Sequence, residues 1–253
     1  MLAISALSGA IVGSFLNVCI YRIPTGLSIL KPASACPKCN QKIRFSDNIP
    51  IISYLILRGR CRSCNEPISW RYPLVELITA GTTAAVYMVY GVTLQGGACL
   101  VLIYLLTVIT FIDVDHMIIP DKLVFLGLLT GFAALFSGAN PIGWRDALLG
   151  VFVYGGFLYL AGLAGKRIFK KDAMGMGDVK LGAMMGLFLG WKMIIMSLYA
   201  AFFVASAVGL TALVTGRLRT GDRVPFGPFL AAGTLVTLFF GERLLKLYIR
   251  IIT

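Results

Sequence analysis

The sequence contains one histidine, His116, among its 253 residues. Neither a catalytic site that needs further histidines nor a hydrolytic metal site with two histidine ligands can be built from this chain. Charged residues are also scarce, at 13% of the chain, and only 11 residues are Asp or Glu. An acidic side chain within an apolar stretch is therefore a functional candidate, because a charge at membrane depth is costly.

The first 21 residues contain no Lys or Arg, and Arg22 is the first positive charge. A secretory signal peptide starts with a positively charged region, so this stretch is interpreted as an uncleaved helix with its N-terminus outside. The chain also has no G-x-G-x-x-G turn after a strand, which excludes the usual dinucleotide-binding fold.

Apolar residues, by contrast, are abundant: 58% of the chain is hydrophobic and the mean hydropathy is +0.86. Soluble domains contain roughly 45–50% apolar residues, so the composition indicates an integral membrane protein. The net charge of +12 is typical of Lys and Arg collected in cytoplasmic loops. We expect no nucleic-acid partner, because no basic surface interleaved with aromatic residues is evident.

Eight segments are candidate spanning helices, of which the fourth and sixth are short. They cover residues 3–21, 74–90, 97–113, 123–136, 146–163, 178–189, 193–215 and 226–245. The sequence therefore predicts an all-α polytopic membrane protein with about eight transmembrane helices. It predicts three parts, namely a first transmembrane helix at 1–23, a cytoplasmic loop at 24–73 and a catalytic helical bundle at 74–253.

The distribution of basic residues predicts the orientation. With the N-terminus outside, the connections at 22–73, 114–122, 164–180 and 216–225 are cytoplasmic and hold 18 of the 23 Lys and Arg residues. The basic C-terminus is discordant, and an odd number of spans would place it inside.

Four cysteines lie in the only sizeable hydrophilic segment, as two C-x-x-C pairs separated by 21 residues. They are Cys36, Cys39, Cys61 and Cys64. Four thiolates at this spacing can close a tetrahedral zinc site with no open position, so we predict a structural zinc. Disulfides are disfavoured in a reducing cytoplasm. A catalytic redox pair is the other alternative, but two matched pairs fit a structural metal better.

Two acidic clusters fall at the ends of predicted spans. Asp113 and Asp115 close the third span, and Asp178 opens the sixth after Gly175 and Gly177. The predicted orientation puts both clusters at the cytoplasmic edge of the membrane. Two facing carboxylates can share a proton, one acting as base on a water and the other as acid. We therefore predict an aspartyl protease.

Simpler interpretations of these residues remain open at this point. Asp178 could only cap its helix. Asp113 and Asp115 cannot both face Asp178, because residues two apart on a helix do not share a face. Lys180 is either a solvated boundary residue or a counter-charge that supports the acids.

Several motifs together resemble the prepilin leader peptidases, which are membrane aspartyl proteases with a G-x-G-D motif. The motifs are G-S-F-L-N-V at 13–18, Y-R-I-P at 21–24, the C-x-x-C pairs, P-L-V-E at 73–76, F-I-D-V-D at 111–115, I-P-D at 119–121, G-M-G-D-V-K-L at 175–181 and P-F-G-P-F at 225–229. The resemblance implies Asp113 and Asp178 as catalytic residues. It also implies a location in the bacterial cytoplasmic membrane.

The resemblance further implies the substrates, which are prepilins and pseudopilins cut after a Gly on the cytoplasmic side. Members with the cysteine-bearing loop often also methylate the new N-terminus with S-adenosylmethionine. The residues alone leave two other functions open, namely an ion- or proton-coupled transporter and a membrane scaffold with a zinc loop. Acids at the membrane boundary disfavour the transporter, because transporter sites lie near the midplane.

Overall fold

The fold was analysed in a computed structural model that describes residues 1–170, 174–217 and 224–252, without the side chains of 169, 248, 249, 251 and 252. Parts of the predicted cytoplasmic connections at 164–180 and 216–225 therefore lie outside the described residues. The described residues form eight α-helices, one 3-10 helix and no strand. The α-helices are α1 (Leu2–Arg22), α2 (Ile52–Ile56), α3 (Arg71–Tyr90), α4 (Leu94–His116), α5 (Asp121–Phe136), α6 (Trp144–Phe169), α7 (Met176–Val214) and α8 (Gly227–Ile252).

Long apolar runs become helices here because lipid offers no hydrogen bonds, and a helix satisfies its peptide groups internally. Within the described residues, six helices are long and apolar enough to cross a membrane: α1, α3, α4, α6, α7 and α8. The all-α, multi-pass membrane class is thus confirmed. The predicted count of about eight spans is not confirmed.

The difference in count comes from α5 and α7. The 16 residues of α5 extend about 24 Å at 1.5 Å per residue, which is short of a hydrocarbon core of about 30 Å. The range of α7 joins two of the predicted spans, which form two helical segments on either side of Gly190. Tyr154 contacts Gly182 before this residue and Ser197 after it, so the chain turns back at Gly190. A kink at Gly190 separates them, where φ is +68° and ψ is 162°, a conformation that glycine tolerates readily.

By its contacts the chain divides into two compact units, Met1–Val108 and Ile109–Thr253. In the first unit α1 packs against α3. A Cβ on Gly9 would lie 2.6 Å from Thr83 Oγ1, and one on Gly13 would lie 2.8 Å from the Cα of Glu76. The small residues of α1 thus let the two helices approach closely. The predicted division at 1–23, 24–73 and 74–253 stays a prediction.

In the second unit α5, α6 and α8 all pack against α7. Gly150 of α6 meets Gly186 of α7 so closely that a Cβ on either would collide with the backbone of the other. Three buried hydroxyls join α6, α7 and α8: Tyr154 and Ser197 are 3.0 Å apart, and Ser197 and Thr234 are 3.5 Å apart. This packing fixes the start of α7 and thereby the acid that it carries.

Candidate active site and candidate metal centre

Asp113 lies in the last turns of α4 and is buried, with 5% of its surface exposed. Asp115, two residues further along the helix, is exposed. The helical period thus points the two carboxylates in different directions, and only one of them is enclosed by protein. This geometry separates the two rival acids that spacing alone could not distinguish.

The Asp113 carboxylate is held by a residue from the far end of the sequence. The backbone N–H of Gly227, the first residue of α8, donates a hydrogen bond to Asp113 Oδ2 over 2.9 Å, and this bond is buried. A side chain at Gly227 would collide with the carboxylate, because a Cβ there would lie 2.8 Å from Oδ2. The donor must therefore be a glycine if the carboxylate keeps this position.

Asp178 is the third residue of α7 and caps that helix. The N–H of Gly175 donates to Asp178 Oδ2 over 3.1 Å, and the N–H of Asp178 donates in turn to the Gly175 carbonyl over 3.1 Å. The bond from the Gly175 N–H to the Asp178 side chain is one half of a capping box, and Gly175 has no side chain for the other half. The predicted capping role of Asp178 therefore exists. It does not exclude a catalytic role, because a carboxylate has two oxygens.

Asp113 and Asp178 line the same open cleft, which has a volume of about 260 Å³. Gly175 and Gly177 line it as well, and the two carboxylates are close enough to interact through their charges. The cleft is lined by Asp113, Met117, Ile118, Ile119, Asp121, Gly175, Gly177 and Asp178. The structure therefore brings together the predicted acids and the predicted glycines.

Lys180 contacts neither of these two acids in the described structure. Its ammonium group donates to both oxygens of Asp121, at 2.8 and 3.0 Å, and the pair is largely exposed. Asp121 is the first residue of α5 and also lines the cleft. Lys180 thus ties the start of α5 to the start of α7 beside the cleft.

The four loop cysteines converge in the first unit. Their Sγ atoms all lie within 4.8 Å of one another, and those of Cys36 and Cys64 are 3.8 Å apart. A tetrahedral zinc with Zn–S bonds of about 2.3 Å places its sulfurs about 3.8 Å apart. The cluster therefore has the donor set and the size for a four-coordinate metal ion.

The two C-x-x-C pairs are built as matching turns. In each, the N–H of an asparagine donates to the carbonyl of the first cysteine over 2.9 Å, from Asn40 to Cys36 and from Asn65 to Cys61. Both asparagines have a positive φ, 55° and 58°, which asparagine tolerates better than most residues. Each of the two matching turns therefore contributes two sulfurs, and all four sulfurs lie around the same point.

The electrostatics of the cluster favour a cation. The backbone N–H groups of Cys39 and Lys38 lower the pKa of the Cys36 thiol to about 7. Although the Glu66 backbone lowers the pKa of Cys64, burial and the neighbouring thiols raise it to about 12. Four thiols side by side cannot all ionise alone, whereas a bound divalent cation stabilises every thiolate.

Two contacts fix the cysteine-bearing segment within its unit. The Arg62 guanidinium donates to both oxygens of Asp47 at 2.7 to 3.1 Å and lowers the pKa of that carboxyl. The buried Glu76 of α3 accepts the N–H of Ile51 over 2.7 Å. These bonds connect the second C-x-x-C turn and the start of α2 to their surroundings.

Comparisons with known proteins match both halves of the chain. The profile of the bacterial peptidase A24 N-terminal domain matches residues 7–90, and that of the type IV leader peptidase family matches residues 100–210. A prepilin leader peptidase/N-methyltransferase of Bacillus subtilis is 36% identical over 99% of this chain and 98% of its own length. The chain belongs to the type IV leader peptidase family.

Two further relatives of this chain are also named prepilin leader peptidase/N-methyltransferase. One, from Pseudomonas aeruginosa, is 36% identical over 96% of this chain and 92% of its own length. The other, from Myxococcus xanthus, is 43% identical over 83% of this chain and 62% of its own length. No solved structure matches the chain. The resemblance inferred from the motifs is thus confirmed.

Neither Gly227 nor Asp121 was predicted from the sequence as part of the candidate site. Gly227 is 114 residues from Asp113 and belongs to the P-F-G-P-F motif, which had contributed only to the resemblance. The sequence feature that could have indicated Gly227 is a glycine followed by a proline at the start of a helix. Asp121 had likewise contributed only to the resemblance, through the I-P-D motif at 119–121.

Proposed function

We infer that this chain is a membrane aspartyl endopeptidase that removes the leader of type IV prepilins and pseudopilins. The observation that carries this inference is the cleft in which Asp113 and Asp178 meet. Membership of the leader peptidase family and the names of its relatives specify the reaction as prepilin cleavage. We propose that the cut follows a glycine at the end of the leader.

The geometry supports an acid–base mechanism with the two carboxylates as the catalytic pair. Oδ2 of each acid already accepts a glycine N–H, so we assign the water and the shared proton to the other oxygen of each. The ionised acid takes a proton from the water, which attacks the peptide carbonyl. The protonated acid donates its proton to the carbonyl oxygen, which gives a gem-diol intermediate. The other acid then passes the proton that it took from the water to the leaving amine, and the first acid recovers its proton as the new carboxyl group forms. The protonation states belong to the pair rather than to either residue.

Gly175, Gly177 and Lys180 are assigned supporting roles. Gly175 orients Asp178 through its N–H, and Gly177 leaves space beside the cleft for Ile119. Lys180 acts indirectly, because its ammonium group pairs with Asp121. We place the cleft at the cytoplasmic face of the bacterial inner membrane, since the predicted cytoplasmic connections hold most of the basic residues.

We assign the four-cysteine cluster to a structural zinc. The donor set of four thiolates favours zinc, and four protein ligands leave no position for a hydrolytic water. Bound zinc would link the two C-x-x-C turns and stabilise the segment at 24–73. The ligands in this assignment are Cys36, Cys39, Cys61 and Cys64.

The relatives' names also support N-methylation of the new N-terminus of the mature pilin. S-adenosylmethionine is the methyl donor that we propose for this second activity. The buried polar residues Asn17 and Glu76 are engaged within the protein, by the Tyr72 carbonyl and the Ile51 N–H. They do not form a vacant cradle that fits this cofactor, so we assign no residue to it.

Cleavage is tested by co-expressing a prepilin with Asp113→Asn or Asp178→Asn and determining the pilin mass by mass spectrometry. Each change should abolish leader removal while the protein still inserts in the membrane, because the pair loses an ionisable member. Asp115→Asn is the matched control and should retain most of the activity. Full cleavage by the Asp178→Asn protein would refute the mechanism, and the same spectra report any added methyl group.

The alternatives of a transporter and a scaffold are not favoured. The family assignment names a peptidase, and the two carboxylates lie near helix ends in an open cleft. A transporter site is expected near the midplane at broken helices. The kink of α7 at Gly190 is a broken helix, but the acid beside it, Asp146, is paired with Trp191 and Lys192.

A further inference from the structure

The connection between α4 and α5, residues 117–120, is short and not helical. The N–H of Met117 donates to the Asp113 carbonyl over 2.8 Å, and Met117 has a φ of +54°, which ends α4. Pro120 is extended, with φ −67° and ψ 121°. A residue before proline is disfavoured in the helical region, which favours an extended backbone at Ile119.

The peptide groups in the middle of this connection have no partner among the described residues, whereas the Met117 N–H and the Pro120 carbonyl are bonded. Within the described part of the chain, no donor or acceptor bonds to the N–H or C=O of Ile118 or Ile119. The Ile118 side chain is 47% exposed, although it is large and apolar. Peptide groups at the edge of a membrane need partners, and a row of them in an extended stretch is a template for another strand.

The unpaired stretch borders the cleft that holds the two acids. Met117, Ile118 and Ile119 line this cleft together with Asp113 and Asp178. Ile119 is backed by the turn before α7, where a Cβ on Gly177 would lie 3.0 Å from the Ile119 Cβ. Gly177 thus lets the stretch lie directly beside Asp178.

We propose that residues 117–119 are a docking edge to which the substrate segment around the scissile bond adds as a β-strand. This proposal rests on the proposed peptidase function. In a helical substrate the scissile peptide bond would lie among neighbouring turns, and its carbonyl would already accept a hydrogen bond. An extended segment instead presents the scissile carbonyl to a water. Strand addition supplies partners to the peptide groups of the edge, and its affinity comes from main-chain hydrogen bonds.

The geometry of a strand gives this proposal a distinctive signature. Along an extended segment, successive residues turn their N–H and C=O groups to opposite sides, so only alternate residues bond to one neighbouring strand. Sensitivity to the loss of a substrate N–H should therefore alternate along the chain. A helical or side-chain mode of binding would not produce a period of two.

The test uses the full-length wild-type protein in detergent and synthetic prepilin peptides that cover the leader and the start of the mature chain. Single amides on either side of the scissile bond are replaced one at a time by esters, which lack the N–H. We expect KM to rise about 2- to 10-fold at alternate positions, as one hydrogen bond is lost at each. Uniform tolerance, or a contiguous run of sensitive positions, would overturn the docking edge.

A variant pair tests the same edge from the enzyme side. Ile118→Pro removes one N–H of the edge, and Ile118→Ala keeps it while shortening the side chain. In the Ile118→Pro variant we expect KM to rise, or one of the alternate substrate positions to lose its sensitivity to the ester. The Ile118→Ala variant should show neither change. Equal kinetics of the two variants together with a flat ester scan would exclude the proposal. Failure to cleave the unmodified peptide would instead overturn the proposed peptidase function.

Discussion

Gly227→Ala is the substitution that most directly tests how the active site is held together. The added Cβ would lie 2.8 Å from Asp113 Oδ2, 3.3 Å from Cγ and 3.5 Å from Cβ of the same side chain. Non-bonded carbon contacts are ordinarily about 3.5–4.0 Å, so the carboxylate must retreat by about half an ångström or more. Alanine adds no left-handed backbone strain at this helix start, because Gly227 has no positive φ.

The expected loss follows from the hydrogen bond that this shift breaks. A buried hydrogen bond to a charged group contributes about 1.5–3 kcal/mol. At about 1.36 kcal/mol for each factor of ten, kcat should fall about 10- to 100-fold. KM should change little, since Gly227 is not among the residues that line the cleft.

The assay measures initial rates of prepilin cleavage by purified protein in detergent, with thermal unfolding recorded in parallel. Gly209→Ala and Gly156→Ala are matched controls, because no atom lies within 4 Å of a Cβ built at either position. Both controls should keep the kcat of the parent protein. A Gly227→Ala protein that unfolds like the parent and retains its full kcat would refute the positioning of Asp113 by this N–H.

Three further changes test the metal centre, the ion pair and the helix packing. Cys61→Ser should lower bound zinc to well below one per chain by elemental analysis, and unchanged zinc would exclude the assignment. Lys180→Gln should reduce kcat less than about 10-fold, because exposed ion pairs such as that with Asp121 contribute only about 0–1 kcal/mol; complete inactivation would show a direct catalytic role. Gly186→Val should lower the free energy of unfolding by about 1–3 kcal/mol or more, because its side chain meets the Gly150 backbone. An unchanged thermal midpoint would contradict that packing.

The helices and the convergence of the four cysteines could be predicted from the sequence because their signals are local. Apolar runs mark the helices, and each C-x-x-C turn closes within a few residues through bonds such as Asn40 to Cys36. The kink at Gly190 was harder to predict from the sequence. Lys192 interrupts the apolar run at this place, and the sequence alone does not say whether the chain turns back at such a break. The number of crossings therefore could not be fixed.

The candidate site was only partly predictable because its contacts are distant in sequence. The charge pattern predicted that Asp113 and Asp178 share one side of the membrane, and the structure places both in one cleft. The choice between Asp113 and Asp115 depends on burial, which is set by the elements packed around α4. Gly227 and Asp113 are 114 residues apart in the sequence, and motif spacing cannot predict a hydrogen bond between residues so far apart.

The ends of helices explain how both acids are held in place. Inside a helix the peptide N–H groups are already bonded, so a carboxylate there can meet only side chains. At a helix start the first N–H groups are free, and each acid accepts one from a glycine: Asp178 from Gly175 and Asp113 from Gly227. A Cβ on Gly175 would lie 3.3 Å from Asp178 Oδ2, and one on Gly227 would lie closer still to its acid. Glycine at both positions therefore lets backbone donors fix each carboxylate through one oxygen, which leaves the other oxygen for the role that we propose.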